Sequence, residues 1–319
     1  MTKKKKRRRL KKKWRYRFSL LGILLLLWLI FGPIKGHLLH KPEKKETTTV
    51  TTVKKKKIPQ RKAEEKSFVK VTSRDINLYQ NADATSQILE AVSPGEIFDY
   101  QGMENGFYLV STNQGFTGYV SKSDASKFTK KMLQPIHTLK NAIIVLDAGH
   151  GGDDIGASSI NKKYYEKDMT IAMVKVIKKA LENAGAKVYL THNSSNKYIY
   201  LDDVTKFSMD KNADVFLSIH FDAADVDNQY SGVKTYYYYN KYQNLAQSIS
   251  HQFDNLPLNN LGIEQGNFEV IRETTQPSLL LELGYLNNEK DLAYITSNDY
   301  REKIANDIVK GLENFFNNN

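Results

Sequence analysis

The sequence predicts a small β-barrel followed by an α/β domain that has a mostly parallel sheet with helices on both faces. The barrel is predicted from short alternating strands separated by turn residues between 67 and 128. The α/β domain is predicted from apolar strands that alternate with segments of helical periodicity between 141 and 319. A basic block, an apolar run and a polar stretch precede both domains, and the run predicts a single transmembrane helix.

Residues 1–34 are predicted to form a basic cytoplasmic tail and a transmembrane anchor. Residues 1–17 contain twelve Lys or Arg and no acidic residue, which fixes this end in the cytoplasm by the positive-inside rule. Residues 18–34 carry no charge and as a helix would span about 26 Å, slightly less than the ~30 Å hydrocarbon core. A cleaved signal peptide is the alternative, but no small-x-small cleavage pattern follows the run. We therefore expect a single-pass membrane protein whose folded domains are extracellular.

Residues 35–66 are predicted to be a disordered tether, because they are rich in Lys, Glu and Thr and have few apolar residues to bury. Residues 1–66 carry a net charge of +19 and residues 67–319 carry −7, which together give the +12 of the chain. A basic nucleic-acid groove on the folded part is therefore not expected. The chain has no cysteine, which excludes disulfides, thiolate zinc sites and a thiol nucleophile.

The barrel at 67–128 resembles the bacterial SH3-like (SH3b) family. The resemblance lies in Asn77-Leu78-Tyr79, Ile88-Leu89, Pro94-Gly95-Glu96, Gly106-Phe107-Tyr108-Leu109-Val110 and Gly118-Tyr119-Val120. It implies a domain that binds cell-wall peptide or packs against a partner, and a spacer that orients the next domain is an equal alternative. The sequence identifies no binding residue in this domain.

Residues 129–140 are predicted to be a linker, and 141–319 one α/β domain. The predicted strands are 142–146, 187–190, 215–219, 235–239 and 278–281, and the predicted helices are 167–183, 242–253 and 300–316. Strands and helices alternate with short connections, which favours parallel pairing with helices on both faces.

Four polar residues stand where the strands of this domain end or its first helix begins. His150 follows the first strand in a glycine-rich turn, Glu166 opens the first helix, His220 follows the strand at 215–219 and Glu282 ends the strand at 278–281. The carboxyl ends of parallel strands meet at one edge of a sheet, so we expect these side chains to lie close together.

Two imidazoles and one carboxylate with an open fourth position are the composition of a catalytic zinc site. A second carboxylate, for which Glu282 is suited, can carry the proton of the zinc-bound water. The glycines around His150 are expected to give a bulky substrate room to approach. Taken singly, each residue has an ordinary explanation: a surface histidine, a Glu166 that favours a helix N-terminus, or a Glu282 paired with a Lys or Arg.

The whole of 141–319 resembles the zinc-dependent N-acetylmuramoyl-L-alanine amidases of the Amidase_3 type. The segments that carry the resemblance are Leu146–Gly152 with Gly156, Glu166-Lys167-Asp168, Leu217-Ser218-Ile219-His220 and Pro277–Asn288. The resemblance implies Zn²⁺ held by His150, Glu166 and His220, with Glu282 as the catalytic glutamate. The implied reaction is hydrolysis of the amide that joins the lactyl group of N-acetylmuramic acid to L-alanine in peptidoglycan.

The chain departs from this family's pattern near the site. Phe221 and Asp222 replace a small residue and Asn, while His192 and Lys206 stand where arginine is expected. These departures leave glycan preference open, and Asp168 and Asp222 are weaker ligand candidates than Glu166.

Two other functions remain open: a zinc peptidase that cleaves within the stem peptide, and a wall-binding protein without activity. A further hypothesis is that the helix at 18–34 contacts an integral membrane protein that activates or positions the folded domains.

Overall fold

The computed structural model of the chain describes residues 61–112 and 115–318. The predicted tail, the predicted transmembrane segment and nearly all of the predicted tether lie outside these ranges. None of the helices within them combines the length and the apolar composition needed to cross a bilayer.

The first part of the described chain is a fully antiparallel sheet with the strand order β3-β2-β6-β5-β4-β1-β7. Its strands are β1 (Ala63–Val71), β2 (Ile76–Tyr79), β3 (Ile88–Val92), β4 (Ile97–Glu104), β5 (Phe107–Ser111), β6 (Thr117–Ser121) and β7 (Ala125–Leu133). Alternate positions such as Val69, Leu78 and Val110 are buried in one small core, as a period of two requires.

Strands β1 and β7 are longer than their apolar pattern indicates. They pair over nine residues each, from Ala63 opposite Leu133 to Val71 opposite Ala125. The outer half of this ladder is exposed and charged, so it lacks the alternation by which a strand is recognised in sequence. Strand β1 therefore starts within the range predicted as tether, and β7 ends within the range predicted as linker.

The second part of the chain is built on a mixed sheet with the strand order β12-β11-β13-β10-β8-β9. Its strands are β8 (Ile143–Ala148), β9 (Lys187–Leu190), β10 (Val215–Asp222), β11 (Val233–Tyr237), β12 (Asn260–Gln265) and β13 (Ser278–Tyr285). Strand β11 runs antiparallel to β13, and the other neighbouring pairs are parallel. The sheet is thus mixed, with one antiparallel junction that the sequence pattern did not indicate.

Helices lie on both faces of this sheet. They are α1 (Glu166–Asn183), α2 (Leu201–Asp210), α3 (Gln243–Ser250), α4 (Glu269–Arg272), α5 (Glu289–Ile295) and α6 (Asn298–Asn317). Ile144, Leu217 and Leu281 face the core beneath α1, α3 and α6, whereas the strand neighbours Val145 and Phe216 face the smaller core beneath α2 and α4. This alternation explains why the strands are apolar on both sides.

A buried carboxylate aligns the ends of three neighbouring strands. Thr191, just after β9, donates to Asp147 Oδ1 at 2.6 Å, and Ser218 on β10 donates to Asp147 Oδ2 at 2.9 Å. Asp147 itself stands near the end of β8. Because these partners lie one or two residues before the site loops, they fix the strand ends from which those loops leave.

At the amino-terminal ends of the same strands, an ion pair joins the two domains. Arg61 donates to both carboxylate oxygens of Asp214, at 2.6 and 2.8 Å. Asp214 immediately precedes β10, and its Oδ2 also accepts a hydrogen bond from the Ile143 backbone N–H at 2.8 Å.

Candidate metal centre

His150 stands in the turn after β8, with the positive φ of 67° that only a few residue types adopt readily. Its Nε2 lies 3.0 Å from Glu166 Oε2, and its Nδ1 lies 2.8 Å from Asp154 Oδ2. The imidazole is therefore held at both nitrogens, and its orientation is fixed before any ligand binds.

Glu166 is the first residue of α1, and its carboxylate is buried at the centre of the site. Oε2 accepts the Ala157 N–H at 2.7 Å, and Oε1 accepts the Phe221 N–H at 3.0 Å. Burial alone would raise the pKa of Glu166, but the hydrogen bonds and charges of the two histidines outweigh it and hold that pKa far below its usual range.

His220 lies near the carboxyl end of β10 and completes the group. Its Nδ1 is 2.9 Å from Glu166 Oε1, and its ring centre is 5.1 Å from that of His150. The ligand atoms of His150, Glu166 and His220 all lie within 4.8 Å of one another. The three predicted ligands are thus together, and they could hold one metal ion.

The protonation of His150 reflects the two carboxylates beside it. Burial lowers the pKa of this imidazole, but hydrogen bonds and charges from Glu166 and Asp154 more than compensate and raise it to about 9. Without a metal, a proton is therefore held where a metal ion would bind, and a metal must displace it.

The glycines of this region make room for the protein's own side chains. A Cβ on Gly149 would lie 2.2 Å from the His220 ring, and one on Gly156 would lie 2.4 Å from Glu166 Oε2. The prediction that the glycines around His150 provide clearance for a bulky substrate is therefore wrong at Gly149. Gly149 and Gly156 are required because His220 and Glu166 pack directly on the turns.

Glu282 lies on β13, in register with His220 on the neighbouring parallel strand. Its Oε2 is buried and has no hydrogen-bond partner among the described residues. Burial, together with the nearby charges of Glu166 and Asp222, raises the pKa of Glu282 well above its ordinary value. A carboxyl group beside the candidate ligands is thus free to exchange a proton.

An open cleft of about 260 Å³ adjoins the two histidines. Its apolar walls come from α2, α4 and the residues next to them, and they include Ile199, Leu201, Val204, Phe268 and Val270. The buried His192 also lines it. A site that combines apolar walls with a few polar groups is typical of small-molecule and peptide recognition.

The other residues singled out in the sequence have different surroundings. Phe221 is buried in the larger core, so this departure from the family pattern changes packing rather than the cleft surface. Lys206 pairs with Asp210 on the exposed side of α2. Asp168 and Asp222 are not members of the three-residue group.

Sequence reasoning missed Asp154, which holds His150 Nδ1. The signal was its position four residues after His150 in the same glycine-rich loop, but a short polar residue in such a loop is also ordinary turn chemistry.

The fold and the site define an α/β protein with a histidine–carboxylate centre at the carboxyl edge of its sheet. The family model for N-acetylmuramoyl-L-alanine amidase matches residues 144–314, and the model for the bacterial SH3 domain matches residues 74–126. The chain therefore belongs to the N-acetylmuramoyl-L-alanine amidase family, with a bacterial SH3 domain preceding the amidase domain.

Among relatives, the probable cell wall amidase LytH of Staphylococcus epidermidis is 41% identical over 180 residues, which are 56% of this chain and 60% of that protein. This match spans less than two thirds of that relative's length. The probable cell wall amidase LytH of Staphylococcus saprophyticus is 33% identical over 257 residues, 79% of this chain and 86% of that protein.

Solved structures give the same fold for the second domain. The catalytic domain of the amidase CwlV from Bacillus (Paenibacillus) polymyxa var. colistinus is 34% identical with a TM-score of 0.52, covering 55% of this chain and 97% of that one. The CwlD amidase from Clostridioides difficile, solved in complex with the GerS lipoprotein, is 28% identical with a TM-score of 0.53, covering 56% and 100%.

Proposed function

We propose that the chain is a zinc-dependent N-acetylmuramoyl-L-alanine amidase that cleaves stem peptides from peptidoglycan. The observation that carries the proposal is the compact group of His150, Glu166 and His220, beside which Glu282 has a buried carboxyl oxygen that finds no hydrogen-bond partner in the described part of the chain. Family membership supports the same activity.

The residues fit zinc by the chemistry of their donors. Imidazole nitrogens and one carboxylate are ordinary zinc ligands, and three protein ligands leave a position for water or substrate. His150 Nε2 and His220 Nδ1 both face the Glu166 carboxylate, so a cation between them would replace direct histidine–carboxylate contacts. When bound, zinc would polarise the scissile carbonyl and lower the pKa of a water molecule.

Glu282 supplies the proton transfers in this proposal. As a carboxylate it accepts a proton from the water that adds to the lactyl carbonyl carbon, and it then donates that proton to the alanine nitrogen as the C–N bond breaks. The products are a lactyl carboxylic acid and a free alanine amine. The raised pKa of Glu282 favours the protonated form that the second step requires.

The test is digestion of purified peptidoglycan by the full-length protein, with the products identified by mass spectrometry. We expect free L-alanine amino termini and glycan strands that have lost whole peptides. Glu282→Gln should lower the rate by about 10²–10⁴-fold, the usual contribution of a general acid–base, while zinc content is unchanged. Glu313→Gln, the same change at an exposed position of α6, is the matched control.

Other products identify the alternative functions. Cuts within the stem peptide would show that the protein is a zinc peptidase and not an amidase. Binding to the wall without any cleavage would indicate a binding protein. Equal rates for Glu282→Gln and wild type would remove Glu282 from the mechanism.

We also propose that residues 18–34 anchor the protein in the cell membrane, with residues 1–17 cytoplasmic and the folded domains outside. The support is the uncharged run after a basic block. An integral membrane partner for this helix is a further proposal, and the complex of the related CwlD amidase with a lipoprotein supports the general idea of a partner protein. Exchange of 18–34 for a foreign membrane helix should abolish function in cells, and full function after the exchange would contradict that partner.

A further inference from the structure

Three carboxylates crowd together beside the cleft, and one of them, Glu269, lines it. Asp202 lies on α2, Glu269 on α4 and Glu273 just after α4, and their oxygens lie within 4.8 Å of one another. Burial and the neighbouring charges of Glu273 and Asp202 raise the pKa of Glu269. Like charges this close repel, so the arrangement needs cations to hold it.

The SH3 domain supplies one of these cations. Lys70 on β1 places Nζ 2.7 Å from Glu273 Oε2 and 3.9 Å from Asp202 Oδ1. Glu273 is 8% exposed and Asp202 is 81% exposed, so the contact with Glu273 is the stronger of the two. One ammonium group from the first domain thus bridges α2 and the end of α4.

Hydrogen bonds also join the turn before β4 and the first residue of β4 to the amidase domain. Asn267 Nδ2 donates to Ser93 Oγ at 3.0 Å. The Ile97 backbone N–H donates to the Tyr239 hydroxyl at 2.9 Å, and that hydroxyl donates to the Arg272 carbonyl at 2.5 Å. Residues 267–273, which we term the wall segment, are therefore bonded to the SH3 domain near both ends.

Gly95 permits the close approach of the two domains. Its φ is +79°, and a Cβ at this position would lie 1.7 Å from Glu273 Oε1. The backbone of the SH3 turn therefore rests directly on the carboxylate that Lys70 binds.

The elements joined in this way are the walls of the cleft. Phe268, Glu269 and Val270 of the wall segment line it, as do Leu201 and Val204 of α2, together with His150 and His220. Helices α2 and α4 both contribute residues to the cleft lining, and Lys70 contacts Asp202 on α2 and Glu273 just after α4.

We propose that the SH3 domain positions the wall of the substrate cleft, with Lys70 and Glu273 as the positioning residues. The domain is then a fixed partner of the amidase domain, and its surface around β1 and the β3–β4 turn is occupied within the chain. The change in KM expected from this inference rests on the proposed function, whereas the change in hydrogen exchange does not.

The test is a charge exchange in the full-length protein. Lys70→Glu removes the ammonium group that contacts Glu273 and Asp202, and it adds a fourth carboxylate to the three already present. Because the carboxylates then repel one another, the wall segment and α2 should exchange amide hydrogens faster. We expect KM for a soluble muropeptide to rise about tenfold, the effect of ~1.4 kcal/mol, with kcat changed less and zinc content unchanged. The double variant Lys70→Glu/Glu273→Lys should recover most of the KM.

Controls separate positioning from general damage. Lys122→Glu, the same reversal at an exposed turn of the SH3 domain, should behave as wild type, and Lys70→Gln provides a milder change if the reversal unfolds the protein. Wild-type KM and hydrogen exchange in Lys70→Glu, or no recovery in the double variant, would overturn the proposal. If wild type cleaves no peptidoglycan, the proposed function fails while hydrogen exchange still decides the positioning role.

Discussion

Among the residues that the structure describes, two groups of three side chains each bring possible metal-binding atoms close together, and the groups differ in what surrounds them. The ligand atoms of His150, Glu166 and His220, like those of Asp202, Glu269 and Glu273, lie within 4.8 Å of one another. The first group combines two imidazoles, which can be neutral, with one carboxylate. The second contains carboxylates only, and Lys70 and Arg272 already contact its most buried member.

The difference teaches that proximity alone does not define a metal centre. In the first group, a metal ion would displace a proton and relieve direct contacts between donors. In the second, the cation is already supplied by the fold, because Lys70 is covalently part of the chain. In our proposals, similar proximity therefore serves metal binding in the first group and a contact between the two domains in the second.

The largest expected effect comes from removing a member of the histidine group. His220→Ala leaves two ligands, so we expect bound zinc to be lost and hydrolysis to fall by at least ~10³-fold. Glu269→Gln, the matched change in the carboxylate group, should leave zinc content unchanged. Metal analysis of both proteins after dialysis checks this. Equal loss of zinc from both would show that the histidine group and the carboxylate group do not differ in zinc binding.

A smaller effect is expected from filling the space beside His220. The methyl group of Gly149→Ala would lie 2.2 Å from the His220 ring, so the ligand must move and zinc affinity should fall about 10–100-fold. In Gly102→Ala the nearest neighbour of the new methyl is Leu109 Cβ at 4.0 Å. Chelator competition measures both variants, and an unchanged affinity in Gly149→Ala would show that His220 is not a ligand.

The next smaller effect is expected from changing Asp154, the partner of His150 Nδ1. Asp154→Asn keeps an oxygen near Nδ1 but removes the charge that makes the imidazole more basic, so zinc affinity should fall about tenfold. The exposed neighbour Asp153 gives the control substitution Asp153→Asn. The same chelator competition applies, and equal affinities would mean that Asp154 does not orient the ligand.

The smallest effect is the pH dependence of the metal-free protein. The pKa of His150 rises from 6.5 to about 9 on folding, so its stabilising contribution is complete below pH 6.5 and is lost as the pH rises through 9. The urea midpoint of chelated protein should fall across this window. His150→Ala should lack this fall, and zinc-loaded wild type should lack it too, since zinc binds the unprotonated imidazole. A fall of the same size in His150→Ala would assign it to another group.

The sequence was sufficient to locate the strands that carry His220 and Glu282, although β10 and β13 continue to Asp222 and Tyr285, past the predicted ends at 219 and 281. His150, His220 and Glu282 were recognised because an apolar run ends at each of them, and Glu166 because a helical period begins there. These signals are local, and the parallel register then brings distant positions together without further information.

The wall of the cleft could not be predicted in the same way. Helix α2 is a ten-residue segment with three buried side chains, and α4 has four residues, so neither carries a strong helical period. The contact of Lys70 with Glu273 joins residues of different domains, and no local pattern encodes it. The antiparallel junction of β11 with β13 was missed because strand direction leaves no trace in composition.

The ion pair between Arg61 and Asp214 has a mechanical consequence. Asp214 bonds Ile143, so the pair lies at the beginnings of β8 and β10, the two strands whose far ends carry His150 and His220. A force applied along the chain before Arg61 would be shared between β1, which follows in the chain, and this side-chain pair, which would carry part of the force to the starts of β8 and β10. Because these two strands pair directly with each other, that part of the force would act on both together.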